Sequence, residues 1–214
     1  MSAQAIVRSP GAPVSACVQP ASSLSDGPLL QQRESLRHAR LGVHAYMYAG
    51  GACPDVKPTL DQTNVYRLRH QAPALTWSAS LAAASAAYAQ KLAGICDHAH
   101  SSDYSYGENI IMIKANDVDD TCRESVGAWY SEVDAYDFDA AQPFAANWSK
   151  GVGHFTQLVW RGTSGVGCGV GINDGWGEEF VPGRFMRLKC KVVVCRYQAP
   201  GNYAGNEVFR DNGE

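Results

Sequence analysis

An α+β fold, with helices covering a central antiparallel sheet, is what this sequence predicts. Three observations carry the prediction. Apolar residues recur at helical spacing in segments between residues 59 and 135. After Gly165 the pattern changes to short, β-branched runs. Helices come first and strands follow, which argues for segregated layers rather than alternating βαβ units.

The elements follow in order. Residues 1–27 are rich in Ser, Ala, Pro and Gly, a composition that predicts disorder. Residues 28–47 read as a basic amphipathic helix, with Leu29, Leu36, Val43 and Met47 near one face and Arg33, Arg37 and Arg40 on another. Such a helix packs loosely on a domain or meets a membrane surface or partner. Gly50, Gly51, Pro54 and Pro58 then punctuate the chain. They divide an extension, residues 1–58, from a domain, residues 59–214. A first helix is expected over 59–70, stopped before Pro73. An Ala-rich helix follows over 78–93, with Leu81, Ala84, Tyr88 and Leu92 as its stripe and Gly94 as its end. Residues 108–113 suit a short strand. A third helix is expected over 116–135, with Cys122, Val126, Trp129 and Val133 in phase, and a short fourth over 153–160. Two strands of an antiparallel sheet are expected at 166–172 and 185–197. Between them, residues 173–184 read as an exposed Gly- and acid-rich loop.

Composition narrows the function. The chain has 214 residues, 45% of them hydrophobic, which suits one compact domain and an appendage. A net charge of −3 offers no basic field for nucleic acid. No stretch approaches transmembrane length, and Ser2 excludes N-myristoylation. Residues 1–27 hold no apolar run of signal-peptide length. Seven cysteines without a C-x-x-C pair point to a cross-linked, secreted protein rather than a zinc finger. Cys190 and Cys195 are five apart on one expected strand, about 16 Å apart and on opposite faces, so they cannot pair with each other unless the strand breaks. Cys17 and Cys53 belong to the extension and can clip it down. Asn147-Trp148-Ser149 is a glycosylation sequon, consistent with a secretory route.

Four titratable residues stand in distinctive frames: His100, Glu108, Glu132 and His154. Two imidazoles with two carboxylates make a shell for zinc or another divalent cation. They equally make an acid–base pair. Each alone is more commonly a hydrogen-bonded core residue. Ser131 stands in no clear nucleophile frame.

Gly153-His154-Phe155-Thr156-Gln157-Leu158-Val159-Trp160-Arg161-Gly162-Thr163 resembles the first signature of the CAP superfamily, the cysteine-rich secretory, antigen 5 and pathogenesis-related class 1 proteins. Val193-Val194-Cys195-Arg196-Tyr197-Gln198-Ala199-Pro200-Gly201-Asn202-Tyr203 resembles the second. Gly107-Glu108-Asn109 and Trp129-Tyr130-Ser131-Glu132 resemble two further family motifs. The resemblance spans residues 59–205 and implies a three-layer α-β-α sandwich. It also implies an open cleft lined by His100, Glu108, Glu132 and His154, in which the two His bind a divalent cation, zinc being the usual one, and the two Glu orient them or complete the site. It places Cys96, Cys168 and Cys195 where members carry disulfides. The chain departs from the pattern at Thr63, where members have His ahead of Asn64, at Arg196, where they have Asn, and at Val152, where they have Cys. Its ending, Glu207-Val208-Phe209, lacks the Pro-Tyr of plant members that release a defence peptide.

Family membership implies no general catalytic activity. The resemblance suggests a secreted, non-enzymatic binding protein for sterol or fatty-acid ligands, with Tyr104-Ser105-Tyr106 and the Ala-rich helix lining an apolar groove, or else covering the core. A metal-dependent hydrolase is the alternative. An extracellular signalling or immune-modulating effector, acting on a protein receptor through the extension and residues 173–184, is the other.

Overall fold

The computed structural model describes residues 52–181 and 184–212. The expected extension helix and Cys17 lie outside them. In chain order the elements are α1 (Val56–Arg69), β1 (Thr76–Trp77), α2 (Ala79–Ile95), β2 (Gly107–Ala115), α3 (Arg123–Tyr130), α4 (Pro143–Asn147), α5 (Gly153–Val159), β3 (Gly165–Asn173), β4 (Gly177–Val181), β5 (Arg184–Arg187), β6 (Lys189–Gln198) and α6 (Asn206–Asn212). Short 3-10 turns at Ser131–Ala135 and Trp148–Lys150 extend α3 and α4.

The sheet runs β1-β3-β6-β2. The three long strands are antiparallel, and the two-residue β1 adds a parallel edge, so the sheet is mixed rather than wholly antiparallel. β6 lies between two strands and under helices on both faces. That is why it reads Val192-Val193-Val194-Cys195 without polar alternation. Its side chains sort by parity. Val193, Cys195 and Tyr197 pack with Val126, Trp129 and Leu158 of α3 and α5. Cys190, Val192 and Val194 pack with Ala89, Leu92 and Ala93 of α2. The result is the three-layer α-β-α sandwich.

α2 approaches β3 closely because both sides are small. A Cβ added at Gly167, Gly169 or Gly171 would fall on the backbone of Ala82, Ala86 or Ala89. The buried face is Leu81, Ala82, Ser85, Ala86, Ala89, Leu92 and Ala93, so Leu81 and Leu92 of the expected stripe are buried while Ala84 and Tyr88 lie at its half-buried edge. The small face of α2 is spent on the sheet. Gly94 lies inside the helix. Cys96, left-handed at φ 51°, closes it.

The helix expected over 116–135 is shorter. Asp119 Oδ1 accepts from the Thr121 N–H and hydroxyl, and Asp117 Oδ1 from the Val118 N–H. Such local bonds compete with helix formation. α3 begins where Asp55, remote in sequence, accepts from the Cys122 and Arg123 amides at 2.8 and 2.9 Å. The strand expected over 185–197 is broken at Leu188, whose N–H bonds the Trp176 carbonyl. The segment expected as a loop, 173–184, supplies β4, paired with β5. Pro58 sits in the first turn of α1, where its missing N–H has no helical partner to lose.

Three disulfides join Cys53 to Cys122, Cys96 to Cys190 and Cys168 to Cys195. Cys190 and Cys195 face opposite layers, as their spacing requires. The sequon at Asn147 is not an acceptor in the folded chain. Asn147 is fully buried, and its amide is bonded to both the N–H and the carbonyl of Asp137.

Candidate functional site

Arg67 of α1 sets the frame for the signature segment. It is buried and donates to the carbonyls of Pro73, Leu158, Trp160 and Thr163. Burial pulls its pKa down to about 10, still a cation at neutral pH. Asn64, one turn earlier, makes paired bonds with the N–H and carbonyl of Leu75. The Asn-x-x-Arg spacing thus fixes the loop after α1 and the end of α5 together.

His154 enters at the second position of α5. Val152, in the capping position, has no side-chain acceptor. Glu132 supplies one from the 3-10 turn after α3: its Oε2 accepts from the His154 and Phe155 amides at 2.8 and 3.0 Å. This does the work of an N-cap from a distance. The same carboxylate's Oε1 lies 2.7 Å from His154 Nδ1. An ionised carboxylate only accepts, so Nδ1 carries the proton and Nε2 carries the lone pair of the neutral ring. The ring packs along Trp129 and is 1% exposed. Its Nε2 is buried without a hydrogen-bond partner.

His100 repeats the arrangement in the loop after α2. Its Nδ1 lies 3.0 Å from Glu108 Oε1, which also accepts from the Ser101 N–H at 2.9 Å. Glu108 Oε2 accepts from Arg196 Nε at 3.1 Å. Burial pushes the Glu108 carboxyl up, but the bonds from His100 and Ser101 and the Arg196 charge outweigh it and hold the group below the usual carboxylate range. Asn109, next along β2, donates to the His154 carbonyl at 3.1 Å, so one strand carries a contact to each histidine.

The structure therefore places the four residues as two imidazole–carboxylate pairs, His100 with Glu108 and His154 with Glu132. Among the described residues, the trio of His, Cys, Asp or Glu donors within 4.8 Å of one another lies elsewhere, at Cys53, Asp55 and Cys122. Those cysteines form a disulfide and offer no thiolate, and Asp55 is bonded to the start of α3. An open pocket of about 640 Å³ between α1 and α3 is lined by Gln62, Tyr66, Arg123 and Glu124 and touches none of the four residues.

A carboxylate on Nδ1 is the arrangement that orients a ligating histidine and raises its basicity. The orphaned His154 Nε2 fits a cation there. Ser131 Oγ donates to the Ala128 carbonyl at 2.7 Å, so no histidine base serves it. Tyr104 is exposed, and Tyr106 lies against the Arg196 guanidinium, whose other aromatic neighbour is Tyr88 of α2. Sequence reasoning noted Arg196 as a departure but gave it no role. The available signal was the register: opposite charges at Glu108 and Arg196 face each other across β2 and β6.

The comparisons with known proteins agree with this architecture. The family model described as "Cysteine-rich secretory protein family" matches residues 60–197. Protein PRY2 of Saccharomyces cerevisiae is 35% identical over 72% of this chain and 39% of its own length, so this chain spans well under half of that relative. A pathogenesis-related protein of PR-1 type from Sambucus nigra is 32% identical over 70% of this chain and 79% of its own. The solved structure of NaASP2 with Zn2+ aligns over 73% of this chain and 88% of its own at a TM-score of 0.50 and 23% identity, and BmVAL-1 over 72% and 84% at 0.51 and 21%. The structural likenesses bear on the fold, while the family match covers the signature, both His–Glu pairs and the sheet that carries them, and so the chain belongs to the cysteine-rich secretory protein family.

Proposed function

We propose that this chain is a secreted, non-enzymatic binding protein whose cleft holds a divalent cation, zinc or a similar ion, through His100 and His154. The observation that carries the reading is His154 Nε2, buried and without a partner on a ring whose Nδ1 is fixed by Glu132. Glu108 holds His100 in the same sense. Zinc accepts imidazole nitrogen readily. That a protein of the same fold was solved with Zn2+ supports the choice of ion. A bound cation would supply a Lewis-acidic centre for a ligand oxygen. Three disulfides support an oxidising, extracellular setting.

The ligand class, a sterol or fatty acid, rests on the family resemblance. The cation site stands independently of it. No observation favours the hydrolase: both carboxylates are committed to hydrogen bonds, and Ser131 has no base.

Zinc titration of chelator-stripped protein by calorimetry tests the reading. One saturable site is expected, lost in His154→Ala and in His100→Ala while both variants keep the wild-type circular dichroism spectrum. Zinc binding unchanged in folded His154→Ala sinks it. Labelled cholesterol and palmitate test the ligand class, and no saturable uptake of either removes that part alone.

A further inference from the structure

Arg196 follows the disulfide-bonded Cys195 on β6. In the sheet it lies directly opposite Glu108. Its guanidinium lies 4.1 Å from the Tyr106 ring centroid and 5.2 Å from that of Tyr88. Its Nε donates to Glu108 Oε2, and the two side chains are 7% and 0% exposed. A planar guanidinium held against two phenol rings cannot swing away as a lysine would.

This divides the work of one carboxylate. Oε1 receives His100 Nδ1 and the Ser101 amide, and Oε2 receives Arg196. An oxygen aimed at a guanidinium cannot also serve a metal ion without bringing two cations together. Glu132 is committed as well, with Oε1 on His154 Nδ1 and Oε2 on two amides.

We propose that Arg196 is a positioning residue of the cleft: it commits Glu108 to orienting His100 and withholds that carboxylate from the cation. The site then presents imidazole nitrogen in place of carboxylate oxygen. Imidazole suits zinc, copper and nickel, whereas carboxylate suits magnesium, calcium and manganese. The cleft therefore discriminates for zinc against manganese. The selectivity rests on the reading of the cleft as a cation site, whereas the hold of Arg196 on Glu108 does not.

Two readouts on Arg196→Gln test the proposal. In metal-free, 15N-labelled protein at a pH of about 8, above the ordinary imidazole pKa, long-range proton–nitrogen correlations report the His100 tautomer. Wild type is expected in the Nδ1–H form, and Arg196→Gln as a mixture. Competition titration should show the ratio of the manganese to the zinc dissociation constant falling about tenfold in Arg196→Gln, the scale of outer-partner effects on metal sites. Tyr106→Leu, which removes the nearest ring and leaves Arg196 in place, should move both readouts the same way by less, and it serves if Arg196→Gln does not fold. A wild-type tautomer in a folded variant overturns the proposal, and so does an unchanged metal ratio. Failure of wild type to bind zinc overturns the cation reading and the selectivity with it, while the tautomer still reports on Arg196.

Discussion

A methyl group at residue 107 would land on the Gln157 carboxamide, whose Oε1 accepts from the Gly201 amide. The Gly of one motif and the Gln of another are thus two halves of one contact. Gly107→Ala should cost about 1–3 kcal/mol, the range of overpacking in a closed site. Gly107→Ala in a Gln157→Ala background should cost less than the sum of the two single changes, as measured by urea unfolding. Asp119 gives a pH-dependent counterpart. Hydrogen bonds from Lys191 and then Thr121 hold its carboxyl at about 2, below its ordinary 3.8. A folded-state pKa below the unfolded one means the contribution is complete above about pH 4 and is lost as pH falls through 2. Asp119 is half exposed, so the effect is small. Asp119→Asn should flatten that acid limb of the stability curve and leave the neutral region nearly level.

The elements that were legible in the sequence are those that their own residues mark. α1 ends before Pro73, α5 lies in the signature segment, and β3 and β6 are Gly-rich and β-branched runs buried on both faces. What was not legible was set by partners far away in the chain. α3 starts at Arg123 because Asp55 caps it, and the Asx-type bonds of Asp117 and Asp119 keep residues 116–122 out of the helix. α6 carries the ending noted above only for lacking Pro-Tyr, yet its Phe209 is fully buried against Phe144, Trp148 and Trp160. The four candidate residues were legible through motifs, but the assignment of one carboxylate to each imidazole needed the loop after α2 and the turn after α3 in place. The packing of α2 on β3 gives a prediction at this scale. Gly169→Ala places a Cβ on the Ala86 backbone, where no flexible side chain can yield. It should cost about 3 kcal/mol, the upper part of the overpacking range. Gly175→Ala, in an exposed turn, should stay within about 0.5 kcal/mol. Equal unfolding midpoints for the two variants would contradict this account of the Gly-rich strand.

Across the whole molecule, one disulfide ties the α2 layer to the sheet. Cys96–Cys190 fastens the end of α2 to the start of β6 across 94 residues. Replacing both cysteines with Ser should lower stability by about 2–5 kcal/mol, read from urea midpoints of otherwise oxidised protein. The same layers carry the site. Glu108 stands on β2, Arg196 on β6, Glu132 after α3 and His154 on α5, so both imidazole–carboxylate pairs form only when the sandwich is closed. The claim that this closed frame presents His154 Nε2 to a cation is tested most directly by a crystal grown with zinc and measured at the zinc edge. An anomalous peak about 2.0–2.1 Å from His154 Nε2, with His100 as a second ligand, is the predicted result. A well-ordered His154 with no peak beside it, at a zinc concentration that saturates the protein in solution, would contradict it.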